Sequence, residues 1–357
     1  MIRLIYLGGV LMSEDFLIGT YTKKDSKGMY AITLDSTQEK LINNRVIVES
    51  EKPAYLQVGP NHLVFAIRQE GELGGVASYR IENGVATLVD KSLSAGSPPA
   101  YVGIDPKRHF MFTANYHKAV VNVYKVSSDG TFNQTDSIKH EGAHGPEPEQ
   151  ADGPHPHFTD LTPDGRLAVC DLGMDLLVIY NVSDDGKLTA VNQFKFEPGF
   201  GTRHLVFAPN GQYVYVLGEL SSKLAVLKYN AASASLDHIQ TIKTIPEDWN
   251  SHNGAAAIHM TSDGKFVYTS NRGENTIAVF AVQPDHTVKH VQSISSEGDF
   301  PRDFELSSDE TFLVASNQNS DNLTLYRRNP ENGLLTMIQK DVVSPEPVCV
   351  KKWNGQK

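Results

Sequence analysis

The sequence predicts an all-β ring of repeated four-stranded sheets, and three observations carry that prediction. A strand–turn–strand pattern recurs six times, no helix-period stretch of useful length competes with it, and the two ends of the chain hold complementary parts of one more unit. The clearest copy is residues 202–219, TRHLVFAPNGQYVYVLGE. It reads as an apolar strand, a Pro-Asn-Gly turn, a second apolar strand and a charged residue where that strand ends. Antiparallel strands joined by a turn bring their outer ends together, so Arg203 and Glu219 are predicted to be neighbours.

The repeat is placed by its turns. The residue before each turn's Asp, Asn or equivalent is Pro60, Pro106, Pro163, Pro209, Ser262 or Ser308. The successive differences are 46, 57, 46, 53 and 46, a unit of 46 residues with two insertions. Ahead of each marker stands an inner strand: AYLQVG, AYVGID, HFTDLT, RHLVFA, AAIHMT and RDFELS. After it comes a denser apolar strand: LVFAI, FMFTA, LAVCD, YVYVLG, FVYTS and FLVAS. A third strand carries an aromatic 17 to 20 residues past the marker, at Tyr79, Tyr124, Tyr180, Tyr229, Phe280 and Tyr326. The fourth segment, such as LDHIQTIKTI, is more polar, as an outer edge should be.

The ends complete the count. EPVCV, residues 346–350, has the character of an inner strand with nothing after it, while FLIGTY at 16–21, GMYAITLD and KLINNRVIV form a trio that lacks one. Six whole units and one shared between the termini make a seven-bladed β-propeller of four-stranded antiparallel blades. Pairing the N- and C-terminal strands closes it and removes the open edge between first and last blade. One domain over residues 13–357 follows, with residues 1–12 as an extension ahead of a start near Met12, outside the fold.

Composition bounds the function. A formal net charge of −10 argues against broad nucleic-acid binding, which needs a basic surface. No apolar run approaches a membrane span. The two cysteines, Cys170 and Cys349, lie in apolar runs and read as buried free thiols of a reducing compartment, which predicts a cytoplasmic protein. A small anionic molecule is the expected partner, with neither nucleic acid nor membrane; the oligomeric state stays open.

Blade geometry then gathers distant residues. Inner strands start, and second strands end, on one face of the disc. Six residues before the marker stand Ala54, Ala100, His157, Arg203, Ala256 and Arg302; ten after it stand Glu70, Tyr116, Gly173, Glu219, Arg272 and Gln318. A scaffold alone gives no reason for a histidine, three arginines and a glutamate to converge on one channel. The two insertions, residues 140–154 and 246–254, are predicted on the same face as binding elements.

From about Asp15 to its end the chain resembles the seven-bladed lactonase family that includes propeller-type 6-phosphogluconolactonases and fungal carboxymuconate lactonising enzymes. GTYT at 19–22, PHPHFTDLTPDG at 154–165, TRHLVFAPNGQYVYVLGELSS at 202–222, IHMTSDGKFVYTSNRG at 258–273 and PRDF at 301–304 carry the resemblance. It implies a lactonase needing neither metal nor cofactor. Its site uses a His before an inner strand, the Arg of a G-x-R-H stretch, the Glu closing the next strand and the Arg of S-N-R. Those match His157, Arg203, Glu219 and Arg272. The chain departs from the family in having Gly218 where Asn often precedes the Glu.

The expected chemistry is a water made nucleophilic by a base, with a tetrahedral oxyanion held by cations. Either His157 or Glu219 is the base; Arg203 and Arg272 polarise the carbonyl or hold a phosphate, and Arg302 adds an anion contact. A carboxylate between two arginines should be ionised and a weak base, which favours His157. Tyr116, Gln318 and His204 are the remaining expected substrate contacts. His144, His155 and His157 near Glu147, Glu149 and Asp152 offer metal-ligand types, but neighbours in a strand alternate faces. No Gly-x-Ser-x-Gly nucleophile occurs. The substrate is expected to be 6-phosphogluconolactone. The alternatives are a carboxylated lactone without phosphate, or a non-catalytic interaction propeller, whose binding would lie on the disc's faces or rim.

Overall fold

A computed structural model of the protein describes residues 6–7, 10–11 and 13–353. Seven four-stranded antiparallel sheets follow one another around a ring. Blade 1 takes its inner strand from the C-terminus, Pro347–Trp353, and continues with Ser13–Thr20, Gly28–Asp35 and Lys40–Glu49. The inner strands of blades 2 to 7 are Leu56–Val58, Tyr101–Asp105, Pro156–Leu161, Thr202–Phe207, Gly254–Met260 and Pro301–Leu306. Each pairs with the next strand in the chain, so every blade runs outward from the axis in sequence order. The expected N-terminal extension lies outside the described residues, apart from Tyr6–Leu7 paired with Val10–Leu11 in a sheet separate from the blades.

Local chemistry explains the repeat. The first turn of blades 4, 5 and 6 needs a left-handed residue and finds Gly165, Gly211 and Gly264, at φ of 84°, 71° and 71°. Second strands are buried on both faces, as in LAVCD and FLVASN. The third-strand aromatics predicted from spacing are all buried, and they fill the wedges between blades: Phe280 of blade 6 joins Tyr215 and Val226 of blade 5 in one apolar cluster. Fourth strands alternate exposed and half-buried residues, as Val288–Ser295 does, and form the rim.

Closure is as the sequence implied. Phe16 faces Lys352, Ile18 faces Val350 and Gly19 faces Cys349 across the terminal pair. Just ahead of the C-terminal strand, the buried Glu346 carboxylate accepts the backbone N–H of Lys23 at 3.0 Å and of Lys24 at 2.8 Å. A loop of blade 1 is thereby pinned to the far end of the chain. Among the described residues the helical content is one 3-10 turn, Pro148–Gln150, and no helix is long and apolar enough to cross a membrane.

Candidate active site

The register of the inner strands shows how side chains reach the axis. In blade 4, Pro156 faces Asp171 and Phe158 faces Cys170, leaving His157 as an extra, unpaired residue. In blade 5, Thr202 faces Gly218 and His204 faces Leu217, leaving Arg203. In blade 7, Pro301 faces Asn317 and Asp303 faces Ser316, leaving Arg302. A β-bulge re-aims the residue it inserts. Three of the predicted site residues are therefore bulge residues, at the same place in the repeat of blades 4, 5 and 7.

These side chains line a cavity of about 330 Å³ at one mouth of the channel, within the range of small-molecule sites. His157, Arg203, Glu219, Arg272, Arg302, Tyr116 and His204 all contribute to its wall. Gln318 does not, which corrects the expectation for that residue. Like Tyr116 and Glu219 it is the first residue past its second strand, but its side-chain amide turns to its neighbour, donating to Asn319 Oδ1 at 3.2 Å.

Glu219 organises the cations. Arg203 Nε donates to one of its oxygens at 2.7 Å and an Arg272 terminal nitrogen to the other at 2.6 Å. Burial by itself would raise this carboxyl, but Arg272 and Arg203 outweigh it and hold it well below the usual carboxylate range. Both arginines are nearly buried and are steered further by main-chain carbonyls. Arg272 Nε donates to Gly254 O at 3.0 Å, and Arg203 donates to Ala256 O. Glycine at 218 suits this packing, since a Cβ there would sit 2.6 Å from Phe200 O. Glu219 is thus a fixed anion that aims two guanidinium groups into the cavity, and it has no proton affinity to spare.

His157 is the complementary group. It is 6% exposed, and its Nδ1 has no hydrogen-bond partner among the described residues. Burial, and next the Arg203 guanidinium, hold its imidazole well below the ordinary value, so the ring is neutral at pH 7. The neutral ring can still accept a proton from water, but the burial and cations that keep it neutral make it a weaker base than a free imidazole. Its ring lies edge-on to Tyr116 at 6.1 Å and beside His204 at 5.2 Å. His204 belongs to an aromatic floor with Tyr101 and Phe158, at centroid separations of 5.6 and 4.6 Å, and its Nε2 accepts from Arg203 at 3.2 Å.

The two long connections are braces rather than walls: neither residues 140–154 nor 246–254 contribute to the lining. In the first, Gln150 donates to Leu172 O at 2.8 Å and Asp175 Oδ1 at 2.7 Å, while Glu149 O accepts the Tyr116 hydroxyl at 3.1 Å. In the second, Asn253 donates to Ser222 Oγ at 2.8 Å and accepts Glu274 N–H at 3.0 Å, beside the Gly254 carbonyl that holds Arg272. The histidines near the first connection are engaged separately. His155 contacts Tyr116 O and Asp152 Oδ1, both at 2.8 Å, and stacks on the Tyr116 ring at 3.9 Å; His144 contacts Gly145 O at 2.8 Å. Among the described residues no three metal-ligating side chains converge on one point.

Among the lining residues that the sequence did not single out are Tyr21, Lys23, Lys52 and His117. Tyr21 and Lys23 lie at the end of a strand that has no marker of its own. Lys52 lies in a connection between blades, two residues ahead of Ala54, and the rule that such connections share this face was the available signal.

Comparison with known proteins agrees with the geometry. Residues 15–352 match the family described as Lactonase, 7-bladed beta-propeller. A 6-phosphogluconolactonase of Bacillus subtilis is 38% identical over 94% of this chain and 97% of its own. A crystal structure of a Lactobacillus plantarum protein superposes with a TM-score of 0.94 at 48% identity, covering 96% of this chain and all of that one (100%). A periplasmic gluconolactonase of Pseudomonas aeruginosa superposes with a TM-score of 0.89 at 27% identity, covering 95% and 99%.

Proposed function

Because the chain belongs to the seven-bladed β-propeller lactonase family, we propose that it hydrolyses 6-phosphogluconolactone to 6-phosphogluconate, in the oxidative pentose phosphate route. The observation that carries the reading is the pairing, in one cavity, of a neutral His157 with two guanidinium groups aimed by Glu219.

In this mechanism His157 takes a proton from water as the oxygen attacks the lactone carbonyl. Arg203 and Arg272 stabilise the oxyanion, held in place before the reaction so that no reorganisation is needed as charge develops. Collapse of the tetrahedral intermediate breaks the bond to the ring oxygen, which recovers the proton from His157. The new carboxylic acid then ionises and releases one proton per turnover. Glu219, held by both arginines, stays ionised throughout and acts by position.

The name of the Bacillus subtilis relative supports a phosphorylated substrate, and that of the Pseudomonas aeruginosa neighbour supports an unphosphorylated one as the second reading. A reducing, cytoplasmic setting is supported by Cys170 and Cys349, both buried and unpaired. The test is proton release from freshly generated 6-phosphogluconolactone, corrected for spontaneous hydrolysis, with wild type beside Arg203→Ala. The reading requires acceleration by the wild type and a loss of about 10²-fold or more in the variant. No acceleration over background on any lactone would favour a binding propeller.

A further inference from the structure

The cavity holds more positive charge than the reaction needs. Its wall carries Lys23, Lys52, Arg203, Arg272 and Arg302 against the single carboxylate of Glu219: five cations less one anion, an excess of four, in a protein of net charge −10. Glu219 accounts for Arg203 and Arg272. Lys23, Lys52 and Arg302 have no carboxylate within ion-pairing distance among the described residues, whereas the adjacent Lys24 does, 3.8 Å from Asp321.

These three cations share one sector of the ring. Arg302 is on the inner strand of blade 7, Lys23 follows the Ser13–Thr20 strand of blade 1, and Lys52 is in the connection to blade 2. Blades 7, 1 and 2 are consecutive; blade 7 abuts blade 6, which supplies Arg272, while His157, Arg203 and Glu219 come from blades 4 and 5 on the opposite side of the ring. Tyr21 sits among the cations, its ring 5.5 Å from the Arg302 guanidinium carbon and 4.7 Å from Lys23 Nζ.

We propose that Lys23, Lys52, Arg302 and the Tyr21 hydroxyl form a subsite for a phosphomonoester dianion on the substrate, across the cavity from the lactone carbonyl. The proposal rests on the lactonase reading above and names the substrate class within it. Three unmatched cations suit a doubly charged group with three acceptor oxygens; a neutral sugar lactone would leave them all uncompensated.

The backbone is built to hold this arrangement. Lys52 has φ of 52°, a left-handed conformation that costs a side-chain-bearing residue energy and persists only where the surroundings fix it. Its N–H is held by Thr22 Oγ1 at 3.0 Å, and Glu346 grips the Lys23 and Lys24 amides, so the two loops are ordered before a ligand arrives. The Tyr21 hydroxyl feels the same field: Arg302 draws it below its ordinary value against the opposing effect of burial, with Lys23 adding to the pull.

The test compares wild type with the Lys23→Met/Lys52→Met double variant on 6-phosphogluconolactone and on unphosphorylated glucono-1,5-lactone. Titration with 6-phosphogluconate and with inorganic phosphate accompanies the rates. In the wild type kcat/KM favours the phosphorylated lactone. In the variant that value falls by about 10- to 100-fold, mainly through KM, while the value for the unphosphorylated lactone falls less than about threefold. Equal losses on both substrates, or no loss on the phospholactone, overturn the subsite and leave the lactonase reading standing. If the wild type hydrolyses neither lactone, the lactonase reading fails and titration decides the subsite. Binding of 6-phosphogluconate that the double variant loses supports it; no binding by the wild type overturns it.

Discussion

Replacing His157 by leucine separates a catalytic role from a structural one. The imidazole is 6% exposed and its Nδ1 is unpartnered, so the folded protein carries a buried polar atom whose desolvation costs about 1–3 kcal/mol. Leucine fills similar space without that cost. His157→Leu is therefore expected to be as stable as the wild type or more stable, by up to about 1 kcal/mol, read as a melting temperature unchanged or raised by about 1–2 °C. The same change removes the base, and loss of a positioned general base lowers kcat by about 10²- to 10⁴-fold, or about 3–5 kcal/mol of transition-state stabilisation. Proton release in a pH-stat, with the no-enzyme rate subtracted, gives the kinetics, and a circular-dichroism melt gives the stability. A variant keeping more than about a tenth of wild-type kcat would refute the base assignment. One that melts several degrees lower would show that the imidazole is there for packing.

Other consequences follow from the same groups. Glu219→Gln leaves two nearly buried guanidinium groups without a counter-charge. With the carboxylate 19% exposed, the loss is expected at about 2–4 kcal/mol by denaturant unfolding, and an unchanged midpoint would contradict the steering role. Since burial and Arg203 hold His157 well below 6.5, kcat/KM should stay level from pH 7 down past 6.5 and fall only in more acid solution; an acid limb at or above 6.5 would contradict this. Stability carries the same sign. His157 and His204 both have lowered values in the fold, by burial first, so unfolded chains bind protons that folded ones refuse. Their contribution is complete above about pH 6.5 and is lost as pH falls below it, and the loss between pH 7.5 and 5.5 should be smaller in His204→Gln than in the wild type. Val350→Asp puts a charge at a fully buried position (0% exposed) in the strand that closes the ring; it should abolish cooperative unfolding or soluble expression, and a wild-type melt would refute closure by that strand.

The ring was legible because its repeat is written in turn residues and in aromatics that must fill the wedges between blades. The offset of six residues before the turn landed on His157, Arg203 and Arg302, and the bulges explain why one offset works in three blades. The offset of ten after the turn succeeded at Tyr116, Glu219 and Arg272 and failed at Gln318. Gln318 stands at the same place past its strand as Tyr116 and Glu219, and it is lost to the site because its amide bonds to Asn319, a side-chain choice that spacing does not encode. Tyr21, Lys23 and Lys52 had no turn marker to be counted from, since they lie in the split blade and the connection after it. The long connections misled for a different reason: extra length shows that a segment is exposed, whereas Gln150 and Asn253 show that these two are pinned as supports.

The central claim is that His157 and the Glu219-bridged arginines hydrolyse a sugar-phosphate lactone. Background-corrected proton release from 6-phosphogluconolactone at pH 7 tests it directly. The account predicts saturable acceleration by the wild type that disappears in Arg203→Ala and His157→Leu while both variants remain folded. Equal rates with and without the wild-type protein, or full turnover in both folded variants, would contradict it.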